Sequence, residues 1–361
     1  MEPNTTEIAL HTKQGELSQP TLGDIGKVAS RYAEAAVFRD YLNRKSLNTI
    51  RAQRTDLDNF VEYLHDITRQ QKSSQQEAIQ MVMQLPTAEA LQNEPSAWKG
   101  ISWGLVDGFV RWMLAQSYAI GSINRKLSTI KHYAKLATQA GTLDQVELAL
   151  IRNITSYSQK EGKRIDQRRQ QTRIGEKKAQ HVRLTSMLAQ ALKNQPDTPQ
   201  GRRDRLMMCL LLDHGLRVGE VALLKVDDID LNEGIFSFFR PKVDRKQKHR
   251  MSEDTLVAMR NWFAFGDAPA TGALLRASRK DGSLWTTGMT ERAITGRVAL
   301  LGEQLSIDKL SAHDCRHYWA THAVQQGTDA FALKDAGGWN SIAMPSRYVE
   351  AATVANERVK I

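Results

Sequence analysis

The sequence feature that most restricts the fold is the helical spacing of apolar residues across the first half of the chain. Apolar side chains repeat at steps of three and four within residues 50–64, 105–113 and 123–137. This repeat places them on one face of a helix, whereas a half-buried strand would alternate every second residue. We therefore predict a helical domain from residue 29 to residue 153.

The helix predicted for residues 123–137 also has a basic side. Arg125, Lys126 and Lys131 lie off its apolar face. Positive side chains along one side of a helix displace condensed counterions from a phosphate backbone, so these three residues are candidates for DNA contact. The same pattern is common on ordinary surface helices, and the sequence leaves both interpretations open.

Basic residues are concentrated in one short segment of a chain whose net charge is +10. The segment 154–180 is polar and lacks a periodic apolar pattern, so we predict a basic interdomain linker, which either contacts a polyanion or is simply solvated. Residues 1–28 are predicted to form a flexible leader. Between residues 160 and 178 there are three acidic residues and eight basic ones, namely Lys160, Lys163, Arg164, Arg168, Arg169, Arg173, Lys177 and Lys178.

Several classes of protein do not fit this composition. The chain has no apolar run near the roughly 18 residues that a membrane span requires, and its polar N-terminus does not match a secretory signal. Cys209 and Cys315 are too few for a disulfide framework or a metal site, and both lie in apolar surroundings. We therefore predict a cytoplasmic protein without membrane contact.

The remainder of the chain, residues 181–361, is predicted to form a mostly helical domain with a small antiparallel β-sheet. The segment RDRLMMCLLLDHG is apolar nearly all round, which is typical of a buried helix. The segment GIFSFFRPKVDRKQKHRM alternates in its first half and predicts a strand pair whose turn carries Lys242, Lys246 and Lys248.

Two short motifs in this domain place charged side chains together. GLRVGE puts Arg217 in a tight turn and Glu220 one turn later, where the carboxylate can orient the guanidinium group. AHDCRHYWATHAV predicts a helix with His313 and Arg316 side by side on the flank of its buried stripe.

The C-terminal segment predicts two more short helices. The first is expected to run from Asp329 to Ala336 and to end at a Gly-Gly pair that suits a left-handed cap, with Trp339 in the following turn. The second should begin at Pro345, because Pro suits the first helical position and the residue before it is pushed out of the helical region. Tyr348 would then lie in the first turn, near the positive end of the helix dipole.

In chain order, the second domain offers six side chains suited to phosphate chemistry: Arg217, Lys242, His313, Arg316, Trp339 and, nine residues later, Tyr348. The motifs GLRVGE, SAHDCRHYWATH and GGW, with the tyrosine at that spacing, resemble the catalytic set of the tyrosine recombinase (phage integrase) family. SLNTIRAQRTDLDNFVEYL and GSINRKLSTIKHYAKLA resemble that family's helical core-binding domain. The resemblance implies a two-domain DNA clamp, in which a core-binding domain precedes a catalytic domain.

The resemblance also implies a reaction. Tyr348 would attack a DNA phosphate to give a 3′-phosphotyrosyl link and a free 5′-hydroxyl, with no cofactor and no metal. A lysine on the strand turn would protonate the departing 5′-oxygen. By position this lysine is Lys242, with Lys246 and Lys248 as alternatives.

The residue chemistry fits these roles. Arg217 and Arg316 can each bind phosphate oxygens through two N–H groups while keeping their charge. His313 can donate a hydrogen bond or move a proton, and the indole N–H of Trp339 can donate but cannot titrate. Tyr348 is a poor nucleophile at a pKa of about 10, and we expect nearby cations and the helix start to favour its ionised form. Each of these residues taken alone is more often structural.

The leading hypothesis is therefore a site-specific recombinase, most simply the integrase of a mobile element, acting on double-stranded DNA. The resemblance further implies a homotetramer on two DNA sites, a directionality factor among its candidate partners, and a nucleoid location when bound. Two alternatives remain, a catalytically silent DNA-binding regulator or accessory protein of the same fold and a type IB topoisomerase-like enzyme that relaxes DNA.

Overall fold

The structure is a computed structural model that describes residues 21–70, 83–169, 171–172, 175–176 and 182–352. The chain divides into two compact units, Met1–Lys177 and Lys178–Ile361. The boundary between them falls inside the segment predicted to be a linker.

The first unit is built from helices around an apolar core, as the spacing predicted. The predicted stripes are enclosed, with Leu57, Phe60, Phe109, Ile123 and Ile130 all fully buried. Its described elements are α1 (Leu22–Asn43), α2 (Leu47–Gln70), α3 (Ala88–Asn93), a 3₁₀ helix (Pro95–Trp98), α4 (Trp103–Ala115), α5 (Ile120–Gln139), α6 (Gln145–Asn153), α7 (Gln159–Gln167), β1 (Gln171–Thr172) and β2 (Gly175–Glu176).

The prediction of a flexible leader is wrong for residues 22–28, which form the start of α1. The Thr21 side chain accepts a hydrogen bond from the Asp24 backbone N–H, and the Asp24 carboxylate accepts one from the Thr21 N–H. This reciprocal capping box satisfies two backbone donors that a helix start leaves open. The earlier residues of the predicted leader, 1–20, lie outside the described residues.

The predicted linker also contains regular structure, so its lack of periodicity was misleading. Helix α7 begins after a capping box between Ser158 and Glu161, and β1 pairs with β2 in antiparallel fashion. A helix this short and polar is specified by its cap rather than by an apolar stripe. Residues 170, 173–174 and 177–180 of the predicted linker lie outside the described residues.

The second unit is mostly helical with small antiparallel sheets, and the predicted fold class is confirmed. Strands β3, β4 and β5 form one sheet in that order, and β6 pairs with β7. Its described elements are α8 (Ser186–Lys193), α9 (Pro199–Leu212), α10 (Val218–Leu223), a 3₁₀ helix (Val226–Asp228), β3 (Ile229–Asp230), β4 (Ile235–Arg240), β5 (Arg245–Arg250), α11 (Glu253–Ala264), β6 (Arg276–Ser278), β7 (Leu284–Gly288), α12 (Glu291–Gln304), α13 (Ala312–Gln325), α14 (Ala330–Gly337) and α15 (Ala343–Ala352).

Two predicted helices of the second unit form where expected. Helix α13 starts at a capping box between Ser311 and the fully buried Asp314, whose carboxylate also accepts a hydrogen bond from the Val182 N–H at 3.1 Å. Helix α14 runs from Ala330 to Gly337, with Asp329 as its N-cap and Gly338 as its C-cap, and the φ of 61° at Gly338 is the left-handed conformation that glycine tolerates. None of the helices in the described part of the chain is long and apolar enough to cross a bilayer.

The last helix begins earlier than predicted. Helix α15 starts at Ala343, so Met344 is helical, Pro345 is the third helical residue, and Tyr348 lies in the second turn. Proline is tolerated there because the first turn of a helix uses no intrahelical N–H donors. The prediction that Met344 is extended and that Tyr348 lies in the first turn is wrong.

Candidate active site

The site is centred on Arg316, which α13 carries into the interior of the second unit. Its side chain is 4% exposed, and its two terminal nitrogens donate to the carbonyl oxygens of Gly215 and Gly337, both at 2.5 Å. Burial, together with the smaller effect of the neighbouring Arg217, lowers the pKa of Arg316 to about 9. A guanidinium with this pKa still carries its charge at neutral pH.

Glu220 fixes the guanidinium group of Arg217, the neighbour of Arg316. Its carboxylate accepts a hydrogen bond from the Arg217 side chain at 2.7 Å and one from the Arg217 backbone N–H at 2.9 Å. The other terminal nitrogen of Arg217 donates to the Gly338 carbonyl at 3.4 Å. Arg217 and Arg316 therefore reach the same Gly-Gly turn at the end of α14.

Arg240 is a third arginine of this cluster, and sequence reasoning missed it. It is fully buried and donates to Glu220 at 3.1 Å, to the Gly337 carbonyl at 2.8 Å and to the Ala336 carbonyl at 2.6 Å. Burial lowers the pKa of Arg240 to about 10, against the opposing effect of Glu220. The sequence did contain a signal for Arg240, because it is the one charged residue in the mostly apolar strand IFSFFR.

The Tyr348 phenol lies on a short chain of hydrogen bonds. Its oxygen is 3.0 Å from Nδ1 of His317, and Nε2 of His317 is 3.1 Å from Nε2 of His313. The side chain of Tyr348 is 8% exposed, whereas His313 is exposed. Sequence reasoning selected His313 and Tyr348 but missed His317, which joins them.

The expectation that cations lower the pKa of Tyr348 is wrong for the free protein. Burial raises the pKa of Tyr348 above its usual value, and the nearby Arg316 opposes this without reversing it. Removing a phenolate from water costs more here than the guanidinium returns. The Tyr348 side chain is therefore a neutral phenol at neutral pH.

Trp339 covers the cluster from the turn that follows α14. Its ring lies under the Arg316 guanidinium at 4.3 Å, a cation–π distance, and 6.0 Å from the Tyr348 ring. Gly337 leaves room for it, because a Cβ at that position would lie 1.8 Å from the indole ring. The glycine pair thus admits the indole as well as ending the helix.

Comparison with known proteins places this arrangement in a family. The model of the phage integrase family matches residues 182–354, which include the whole cluster. Residues 182–354, slightly less than half of the chain, are therefore a domain of the phage integrase family. A lambda integrase dimer bound to a core site shares 15% identity with this protein, over 84% of this chain and 98% of that one, at a TM-score of 0.53. At that identity the likeness shows the fold.

Several curated proteins that this chain is similar to are tyrosine recombinases. The tyrosine recombinase XerD of Pasteurella multocida is 31% identical over 49% of this chain and 59% of its own length. The tyrosine recombinase XerC of Roseiflexus castenholzii is 25% identical over 84% of this chain and 83% of its own length. The chain spans little more than half the length of several such relatives.

The strand pair separates the three candidate lysines. Lys242 lies in the turn between β4 and β5 and is exposed, but Lys246 and Lys248 lie on β5, so the prediction that all three crowd the turn is wrong. Lys246 pairs across the sheet with Phe239, and Arg240 pairs with Arg245. Because opposed residues share a face and neighbours alternate, Lys246 and Lys248 lie on the face away from Arg240. Among the described residues, no hydrogen bond or ion pair joins Lys242 to the cluster.

The predicted basic side of α5 is only partly exposed. Lys126 is 4% exposed and is ion-paired at 3.3 Å with the fully buried Asp56, so the expectation that it faces DNA is wrong. A carboxylate taken from water requires such a partner. Arg125, which is 50% exposed, also pairs with Asp56, and Lys131 donates to the Arg152 carbonyl at 3.0 Å.

Proposed function

We propose that this chain is a site-specific DNA recombinase that cleaves and rejoins strands through a covalent 3′-phosphotyrosyl link to Tyr348. The observation that carries the proposal is the convergence of Arg217 and Arg316 on one Gly-Gly turn, with the Tyr348 ring packed at a tilt beside the indole of Trp339. Two fixed guanidinium groups next to a buried phenol suit a phosphodiester, because they bind its oxygens as negative charge grows on them.

The reaction exchanges one phosphate ester for another. The Tyr348 oxygen forms a bond to phosphorus, the bond from phosphorus to the 5′-oxygen breaks, and the 5′-oxygen takes a proton from an acid. We assign that acid to Lys242, whose exposed turn can approach a bound strand. The free energy of the ester is conserved in the adduct, so a second 5′-hydroxyl can reverse the step without a cofactor or metal.

The remaining residues of the site hold the phosphate. Arg217 and Arg316 bind its non-bridging oxygens, and the indole N–H of Trp339 adds a neutral donor. Glu220 keeps Arg217 and Arg240 in position, because its carboxylate is hydrogen-bonded to both. His313 is exposed to solvent and can donate a hydrogen bond or move a proton.

We assign DNA binding to the first unit as well. In this proposal residues 29–153 form the core-binding domain, residues 154–180 connect it to the catalytic domain at 181–361, and the two domains clamp duplex DNA. Exposed cations of the connecting segment, together with Arg125, contact phosphates. Strand exchange between two sites requires four active tyrosines, so we propose a homotetramer on DNA at the nucleoid, with a directionality factor selecting integration or excision.

The test is trapping of the adduct. Wild-type protein is mixed with a pool of duplexes that carry a randomised centre and a nick, so that the cleaved fragment diffuses away. We expect a covalent protein–DNA adduct with wild type, none with Tyr348→Phe, and a normal yield with Tyr318→Phe, a matched change on α13. Failure of wild type to form an adduct, or its formation by Tyr348→Phe, refutes the proposal.

The trapped DNA also separates the alternatives. Sequencing it yields the recognised site, which then serves as substrate. A protein that binds this DNA without an adduct is a silent regulator. A protein that relaxes any supercoiled plasmid, without a second site and without recombinant product, is a topoisomerase-like enzyme.

A further inference from the structure

The hydrogen-bond chain from Tyr348 has a chemical direction. One end is the buried phenol, the middle is His317, and the far end is the exposed His313. His317 uses its two ring nitrogens in this chain, Nδ1 towards the phenol and Nε2 towards the other imidazole. The chain therefore connects the reacting oxygen to the protein surface.

The tautomers of the two imidazoles are coupled. A neutral imidazole has one N–H donor and one acceptor nitrogen. If Nδ1 of His317 accepts the phenol hydrogen, its Nε2 carries a hydrogen and donates to Nε2 of His313. Each imidazole then has a nitrogen ready to receive a proton from the preceding member of the chain.

We propose that His317 is the catalytic base that takes the proton of Tyr348 during strand cleavage and passes its own Nε2 proton to His313. This inference rests on the proposed recombinase function and adds a residue to it. The buried phenol is neutral at neutral pH, which creates the need for such a base.

The step is balanced in protons and electrons. The phenol O–H bond breaks as the oxygen attacks phosphorus, and its proton bonds to Nδ1 of His317. The Nε2–H bond of His317 breaks as that proton bonds to Nε2 of His313, which is exposed and exchanges it with water. The leaving 5′-oxygen takes its proton separately from Lys242. In the reverse step the chain returns one proton to the phenol.

The surroundings favour a relay over a stored charge on His317. Arg316 lies on the same helix, one residue away, and its charge acts on the Tyr348 phenol that His317 contacts. A positive charge next to this pair opposes a lasting imidazolium. Helix α13 packs against α9, α14 and α15, whose charged and titratable residues are Arg202, Arg203, Asp204, Arg205, Cys209, Lys334, Asp335, Arg347, Tyr348 and Glu350.

The first variant to test is His317→Asn. Its substrate is a nicked duplex with the site sequence recovered from the wild-type adduct. An asparagine oxygen can accept the phenol hydrogen bond but cannot take the proton. We expect the cleavage rate to fall about 10²- to 10⁴-fold, the usual range for loss of a general base. The pH profile should also change. Wild type reaches a plateau once the imidazole is neutral, whereas the variant rate continues to rise with pH as the phenol ionises by itself.

A second measurement distinguishes chemistry from folding. In His317→Ala, added imidazole should restore part of the cleavage rate, because a free base can enter the space left by the ring. The matched control is His322→Ala, which removes another imidazole from the same helix, five residues after His317. It should cleave at the wild-type rate and show no response to imidazole. Urea unfolding of each variant verifies that it is folded.

Each outcome decides one question. If wild type forms no adduct, the recombinase proposal fails and this inference fails with it. If wild type forms an adduct and His317→Asn cleaves at the same rate with the same pH profile, only this inference is overturned. A rate that falls equally at every pH, with no rescue by imidazole in His317→Ala, also overturns it and leaves His317 a packing role.

Discussion

At the scale of single residues, Glu220 holds the charge balance of the site. It is 2% exposed and bridges the guanidinium groups of Arg217 and Arg240. Glu220→Ala would leave the fully buried Arg240 with an uncompensated charge, so we expect the free energy of unfolding to fall by about 3 kcal/mol or more. Urea unfolding measures this. The control is Glu233→Gln, which changes an exposed carboxylate between β3 and β4. It should change the free energy of unfolding by less than about 0.5 kcal/mol.

Arg240 itself provides a sharper comparison. Lysine has a point charge and cannot reach Glu220 and the Gly337 and Ala336 carbonyls together, as the planar guanidinium does. We expect Arg240→Lys to lower the melting temperature, with a loss of about 1.5 to 3 kcal/mol for each charged hydrogen bond given up. Arg245→Lys, on the neighbouring strand, should leave it nearly unchanged. Equal melting temperatures for the two variants would contradict the structural role of Arg240.

Sequence motifs predicted some of these residues and could not predict others. Arg316 and Tyr348 belong to short motifs whose spacing is visible along the chain. The contact between Arg240 and Gly337 spans 97 residues, and no local pattern encodes it. Lys126 was misplaced for a related reason, because its buried partner Asp56 lies 70 residues away.

At the scale of elements, the β4–β5 hairpin tests the choice of catalytic lysine. Its register puts Lys242 in the turn and puts Lys246 and Lys248 on the face away from Arg240. We expect Lys242→Ala to slow cleavage about 10²- to 10⁴-fold, and Lys246→Ala or Lys248→Ala to have little effect on the rate. A substrate with sulfur at the 5′-bridging position needs no acid and should restore the rate of Lys242→Ala. If Lys246→Ala is slow instead and that substrate restores its rate, the acid that protonates the 5′-oxygen is Lys246 rather than Lys242.

The same sheet makes the second unit sensitive to acid. Burial lowers the pKa of His249 on β5 to about 4 and that of His214 to about 3, each from the usual histidine value of 6.5. The unfolded chain therefore binds these protons first, so stability is complete above about pH 6.5 and is lost as pH falls towards 4. Each titrating histidine contributes about 1.4 kcal/mol per pH unit in that window.

His249→Phe should make that loss shallower. The His249 ring packs against Phe236 and Phe238 at centroid distances of 5.7 Å and 4.8 Å, and its buried Nε2 has no hydrogen-bond partner among the described residues. Phenylalanine keeps the ring contacts and removes the titration. Urea unfolding at a series of pH values provides the measurement, and an unchanged slope between pH 6.5 and 4 would show that His249 stays protonated in the fold.

Whole elements were predicted best where apolar periodicity is strong. The stripes of α2 and α5 and the caps of α14 follow from the sequence. The starts of α1 and α7 depend on capping boxes in polar segments, where the absence of an apolar stripe suggested loops. Helix α15 began early because Pro345 fits anywhere in a first turn, so the proline limited the helix start without fixing it.

At the scale of the molecule, the excess positive charge should determine how affinity for DNA depends on salt. In the predicted linker, the side chains of Lys160, Lys163, Arg164 and Arg168 are exposed, and α7 carries the first three of them. Each cation that neutralises a phosphate releases a counterion, so log K falls with log salt by about 0.9 per phosphate contacted. Replacing these four residues with Gln should therefore flatten the slope measured with the trapped duplex by up to about 0.9 per contact removed.

A control of equal charge separates a local contact from the effect of net charge. Lys225, Arg260, Lys280 and Arg292 are exposed residues of the second unit, and their replacement by Gln removes the same charge. If α7 and its flank contact DNA, the first set flattens the salt slope and the control set alters it less. Equal slopes for wild type and the first variant would show that this segment is solvated and only joins the units. Equal flattening by both sets would instead assign the effect to the total charge of the chain.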